Sequence, residues 1–203
     1  MYTNPFALGW ENDQTPHNPS SSGGGPAFSA LPIGSSTMAC PNPPQIAVFN
    51  FLSDPTRPSV LNSVVAGTNS LQYFNIETKP GSNYTTISRR NGEVYATVNW
   101  QTQPCPVVEA RGTIERQRTS QWARLAKDRR RRVTTIKGRE YAWVPQGSLC
   151  VKLRDSNANE EFARIIRNGP SMTLQITISA FNDGLFEPCV LASVLFLSGK
   201  DID

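Results

Sequence analysis

Histidine is almost absent from this chain. One occurs in 203 residues, His17, and it falls in a stretch whose composition argues against folding. The rest of the chain therefore has no imidazole base for a Ser-His-Asp or Cys-His nucleophile and no histidine to ligate zinc. Cysteine is sparse and scattered. Cys40, Cys105, Cys150 and Cys189 include no C-x-x-C pair, which reads as buried thiols in a reducing compartment rather than a metal site or a disulfide frame. No apolar run approaches the roughly 20 residues that a membrane-crossing helix needs. The N-terminus has neither the basic start nor the apolar segment of a secretory signal. Asn83-Tyr84-Thr85 fits a glycosylation sequon, a coincidence if the chain is not secreted. Gly23-Gly24-Gly25 lacks the strand, helix and lysine of a phosphate loop. No carboxylate pair has a spacing that recommends acid–base work. The expectation is a cytoplasmic protein that is not an enzyme and needs no cofactor or metal. Carboxylate chemistry inside a pocket stands as a formal alternative.

Charge is also missing from one part of the chain. Residues 1–45 hold two charged side chains, Glu11 and Asp13, among many Pro, Gly, Ser and Asn. Such a segment buries too little apolar surface to offset the entropy of ordering it. Residues 1–45 are expected to be a disordered tail and residues 46–203 a single folded domain, long enough for its own core.

What that domain has is short strands. Ile46–Leu52, Val60–Val65 and Leu71–Glu77 are apolar runs separated by Asp54-Pro55 and Gly67-Thr68-Asn69. Tyr84–Arg90 and Glu93–Trp100 flank Asn91-Gly92, a dipeptide suited to a two-residue type I′ hairpin turn. That turn sets Ile87 opposite Ala96. It puts Val94, Ala96, Val98 and Trp100 on one face and Glu93, Tyr95, Thr97 and Asn99 on the other. Cys105–Ala110, Thr113–Arg118, Val133–Ile136, Glu140–Val144 and Ser148–Arg154 continue the series. Glu161–Ile166 reads as strand or helix, and Met172–Ala180 alternates cleanly. One internal helix is expected after Thr119 or Ser120, with Trp122, Leu125 and Ala126 at helical spacing.

The last segment decides the architecture. From Glu187-Pro188 to Ser198-Gly199 the chain is apolar on every side, with proline suited to a helix start and glycine to its stop. A helix that is apolar all round must be buried all round. At about 18 Å it is too short to cross a bilayer. The expected fold is mainly β: a closed antiparallel barrel of about 11–12 strands around a central hydrophobic helix near residues 187–198.

The order of motifs carries a resemblance. The hairpin TTISRRNGEVYATVNW is followed by SQWARLAKDRRRR, then GREYAWVPQGSLCVKL, then the apolar terminal helix, and the tail begins NPFALGW. This pattern resembles a family of domains of uncharacterised function abundant in mushroom-forming fungi. The resemblance implies the tubby C-terminal-like fold, shared with LURP-one-related proteins and phospholipid scramblases. It implies no activity and no catalytic residues.

Charge returns in one region. Residues 111–139 hold eleven Lys/Arg against two acids, a local net of +9 in a chain whose total is +4. Its densest part contains Arg124, Lys127, Arg129, Arg130, Arg131 and Arg132. This run suits an anionic membrane surface, nuclear import or simple solvation. Nucleic acid is disfavoured, because no aromatic residues interleave the basic ones. Asn4-Pro5-Phe6 in the tail resembles the tripeptide ligand of endocytic adaptor modules, and Trp10 nearby is a second candidate partner anchor. Trp100, Trp122 and Trp143 are expected to pack in the core. The combined expectation is a non-catalytic cytosolic binding module that associates with anionic phospholipid, the alternative being recruitment of an adaptor protein through the tail.

Overall fold

The apolar terminal stretch is a helix, and it is enclosed. In a computed structural model that describes residues 45–56, 58–147, 150–155 and 160–203, α3 spans Phe186–Leu197, and every one of its residues except Glu187 is buried. Leu191, Val194 and Leu195 are shielded almost completely from solvent. Each such side chain stabilises the fold by about 1.5–3 kcal/mol relative to exposure. The one buried hydroxyl of α3, on Ser193, donates to the Cys189 carbonyl one turn back at 2.8 Å, so this hydroxyl is satisfied within the helix itself.

One antiparallel sheet wraps this rod. Its strands are β1 (Ile46–Ser53), β2 (Ser63–Gly67), β3 (Gln72–Thr78), β4 (Tyr84–Arg89), β5 (Val94–Asn99), β6 (Val107–Ala110), β7 (Ile114–Arg118), β8 (Arg124–Leu125), β9 (Arg132–Ile136), β10 (Arg139–Gln146), β11 (Cys150–Asp155), β12 (Glu161–Asn168) and β13 (Ser171–Thr177). Neighbours follow chain order from β7 back to β1, which pairs with β13, and then from β13 back to β8. The β1–β13 pairing, Ile46 opposite Thr177 through Phe51 opposite Met172, joins the two halves. Glu161–Asn168, left open between strand and helix by its sequence, is a strand.

The sheet does not close. This corrects the expected barrel. Strands β7 and β8 are its two edges, and no hydrogen-bond ladder joins them. Between them the chain forms α1 (Thr119–Trp122), a single helical turn. Trp122 falls on that turn, but the expected helix stops there, and Leu125 belongs to β8. A strand of two residues is too short to complete a ladder.

The seam is sealed by side chains instead. Thr119 Oγ1 donates to the carbonyl of Ile202 at 2.6 Å, and Ile202 is buried. Arg132, at the start of β9, is completely shielded. Its Nη1 donates to the Ala123 carbonyl at 2.8 Å. Its Nη1 and Nη2 clasp both carboxylate oxygens of Asp203 at 2.8 and 2.5 Å.

The β4–β5 hairpin corrects a second expectation. Ile87 does face Ala96, but the register shifts at Ser88, which faces Val94. Gly92 has φ +82°, while Asn91 is not in the left-handed region. The Gly92 amide donates to the Arg89 carbonyl at 2.9 Å. The turn is therefore a type I turn followed by a glycine bulge, not a two-residue type I′ turn. A second irregularity follows. Ser88 faces Val94 and Ile87 faces Ala96, so Tyr95 is left over between them, and it is buried while Val94 is exposed. Beyond it Ala96 and Val98 are buried as expected. At the other end of the chain, β13 stops at Thr177 rather than Ala180. Thr177 Oγ1 accepts the Ala180 amide at 3.2 Å and caps α2 (Ile178–Asn182).

Candidate functional site

The basic segment is the connection between β8 and β9. Its hairpin closes where the Ala126 amide donates to the Arg131 carbonyl and the Arg129 amide to the Ala126 carbonyl, both at 2.9 Å. Arg129 takes the left-handed conformation, φ +55°, that reverses the chain. The Asp128 carboxylate works inside the loop. It accepts the Arg130 amide at 3.0 Å and pairs with Arg131 at 3.5 Å. Lys127, Arg129, Arg130 and Arg131 are all exposed, a net of +3 over residues 127–131.

The six basic residues singled out by sequence divide three ways. Lys127, Arg129, Arg130 and Arg131 gather on this loop. Arg124 stands beside it on β8 but is ion-paired with Glu140 at 2.5 Å. Arg132 points inward to Asp203 and presents no charge at the surface. Arg116 and Arg118 lie exposed on β7, the sheet edge on the other side of α1, with Glu115 just before them. Arg111 is far from the loop and pairs with Glu93 at 2.7 Å. The tail candidates Asn4, Pro5, Phe6 and Trp10 lie outside the described residues.

The loop sits at a defined end of the molecule. Strand β9 begins at Arg132, which holds Asp203 just beyond α3. It ends beside Lys137, which donates to the Asp183 carbonyl just before α3 at 2.7 Å. The basic loop thus caps the end where α3 finishes.

The end where α3 begins carries features that sequence did not indicate. Phe186 packs on Phe49 with ring centroids 4.1 Å apart and meets Tyr73 edge-on at 5.5 Å. Beside them opens a pocket of about 550 Å³ lined by Leu71, Tyr73, Phe74, Arg89, Arg90, Phe186 and Glu187. Arg89 Nε donates to Glu187 at 3.0 Å and its Nη1 to Glu93 at 3.0 Å. The hydrogen bond to Glu187 raises the pKa of Arg89 above its ordinary value. Hydrogen bonds from Arg111 and then Arg89 hold the Glu93 carboxyl below the usual carboxylate range. These residues come from segments about a hundred positions apart, so no local pattern marks them.

Among the described residues no cluster of His, Cys, Asp and Glu is arranged to hold a metal, and no helix is long and apolar enough to cross a membrane. Cys105, Cys150 and Cys189 are free thiols. Cys189 is fully enclosed, and burial drives its pKa far up. Trp122 and Trp143 are core residues, whereas Trp100 is half-buried and donates from Nε1 to Thr85 Oγ1 at 2.7 Å.

Residues 58–198 match the family of unknown function DUF6593. The chain belongs to that family. The DUF6593 segment includes both the basic loop and the pocket. Strand β1 precedes it, although β1 lies mid-sheet between β2 and β13. No curated protein matches the chain. Among solved structures, an X-ray structure of a protein from Arabidopsis thaliana is similar at 11% identity and a TM-score of 0.39, covering 75% of this chain and 92% of the other.

Proposed function

We propose that this DUF6593 protein is a non-catalytic module that docks reversibly on anionic phospholipid surfaces through the β8–β9 loop. The observation that carries the reading is the exposure of Lys127, Arg129, Arg130 and Arg131 on one short loop at one end of a rigid sheet. Each basic side chain near an anionic leaflet contributes about 1 kcal/mol. Four of them, opposed by Asp128, supply roughly 3–4 kcal/mol, which corresponds to millimolar affinity. Arg116 and Arg118 on β7 would add to this if the same end meets the bilayer. Binding of this strength is transient, sensitive to salt and readily reversed. The tubby-like kinship implied by the motif order is part of the same proposal: a sheet wound on a central helix serves as a platform for charged loops. A cytoplasmic location, where the anionic leaflet faces, belongs to it too.

Flotation with vesicles containing phosphatidylserine and a phosphoinositide, against neutral phosphatidylcholine vesicles, tests the reading. The full chain is expected to float with the anionic vesicles alone and to be released as salt rises. Replacing Arg129, Arg130 and Arg131 together by Ala is expected to abolish flotation. Equal binding to neutral vesicles, or undiminished binding by the triple variant, sinks the proposal.

A further inference from the structure

The pocket at the start of α3 has the dimensions and chemistry of a ligand site. Its volume of about 550 Å³ falls within the roughly 300–1,000 Å³ usual for small-molecule sites. Its lining includes Leu71 and Tyr73, both half-buried, and Phe74 and Phe186, both nearly enclosed. Two guanidinium groups and one carboxylate share the lining. Arg89 is committed to Glu187 and Glu93. Arg90 is not. Its backbone amide donates to the Tyr73 carbonyl at 3.1 Å and anchors the residue there, while its exposed guanidinium forms no hydrogen bond or ion pair with any described residue. A mostly apolar hollow with one uncommitted cation is complementary to a molecule with an apolar body and a single negative head.

We propose that this pocket binds an amphipathic monocarboxylate of the fatty-acid type, its carboxylate on Arg90 and its chain against Phe74, Tyr73 and Phe186. Charge complementarity selects the head group. A neutral head would leave Arg90 unanswered. A doubly charged phosphate monoester would meet the Glu187 carboxylate, which shares the lining. The pocket lies at the end of the molecule opposite the basic loop, so the ligand enters from solvent and not from a bilayer held by that loop.

Isothermal titration of the full chain with dodecanoate, kept below its micelle-forming concentration, tests the inference, with dodecanol and dodecyl phosphate as comparison probes. Saturable one-to-one binding of dodecanoate is expected, with dodecanol and dodecyl phosphate both weaker. Arg90→Ala should weaken dodecanoate about tenfold or more, through loss of a charge-assisted hydrogen bond. Arg90→Lys should retain most of the affinity, and Leu71→Asp, which puts a second negative charge in the wall, should remove it. The triple alanine variant of Arg129, Arg130 and Arg131 should bind dodecanoate as the parent does, which separates this site from membrane docking. The inference is overturned by absence of saturable dodecanoate binding, by equal affinity for Arg90→Ala, by dodecanol or dodecyl phosphate binding as tightly, or by loss of binding in the loop variant.

Discussion

Arg132 and Asp203 form an asymmetric pair, since the guanidinium is fully shielded and the carboxylate is 39% exposed. Removing either partner therefore has different consequences. Asp203→Ala leaves a buried cation without its partner anion, a situation that costs about 3–5 kcal/mol. Arg132→Met fills similar space with an apolar chain and leaves an aspartate that water can reach. Urea unfolding midpoints are expected to fall much further for Asp203→Ala than for Arg132→Met, and the reverse order would contradict the role assigned to the pair. Tyr95 gives a pH signature. Burial is the main cause that pushes its phenol up to about 12 from an ordinary 10. The unfolded chain thus loses this proton first as pH rises. The contribution is fully present below pH 10 and is lost between about 10 and 12. Alkaline denaturation should accordingly be shallower over that range in Tyr95→Phe, and identical pH profiles would dismiss Tyr95 as the cause.

Helix α3 is the element on which the other elements depend. Leu191 is completely enclosed by the sheet, so Leu191→Ala should cost about 2–5 kcal/mol through lost transfer energy and the cavity left behind. Thermal unfolding followed by circular dichroism measures this, and a loss below 1 kcal/mol would mean that the rod is not tightly gripped. This helix was legible because its sequence is apolar on all sides. Strands β1, β4 and β13 were legible because alternation and turn residues mark them. The turn at Asn91-Gly92 was not, because that dipeptide suits two turn types and the choice between them falls to packing, and nothing in the alternation of β5 marks Tyr95 as the residue left over in the ladder. The start of α1 was legible but its end was not, because Trp122, Leu125 and Ala126 keep helical spacing although β9 draws Leu125 into the sheet. Arg132 hid among four consecutive arginines, since charge alone does not say which one faces inward. The pocket escaped because Leu71, Arg90 and Phe186 meet only after the sheet has curled around α3.

At the scale of the whole molecule, the open seam makes the final residues structural. Ile202 is buried, and the Ile202 carbonyl and Asp203 carboxylate bridge elements on both sides of the gap, through Thr119 and Arg132. Removing residues 201–203 should cost on the order of 4 kcal/mol or more, from lost apolar burial and an orphaned Arg132. Hydrogen exchange should then quicken first around α1, β8 and the start of β9. Uniform acceleration throughout the sheet would argue that the seam is no weaker than the rest. The same chain order bears on how the protein is made. The thirteen strands of the described residues leave the ribosome before the rod they enclose, so their inward faces are born without a partner. Nascent chains shorter than about residue 186 cannot complete this core and are natural clients for chaperones. Folding of this core is thereby deferred until α3 has been made, when that helix arrives as the mandrel on which the waiting strands are wound.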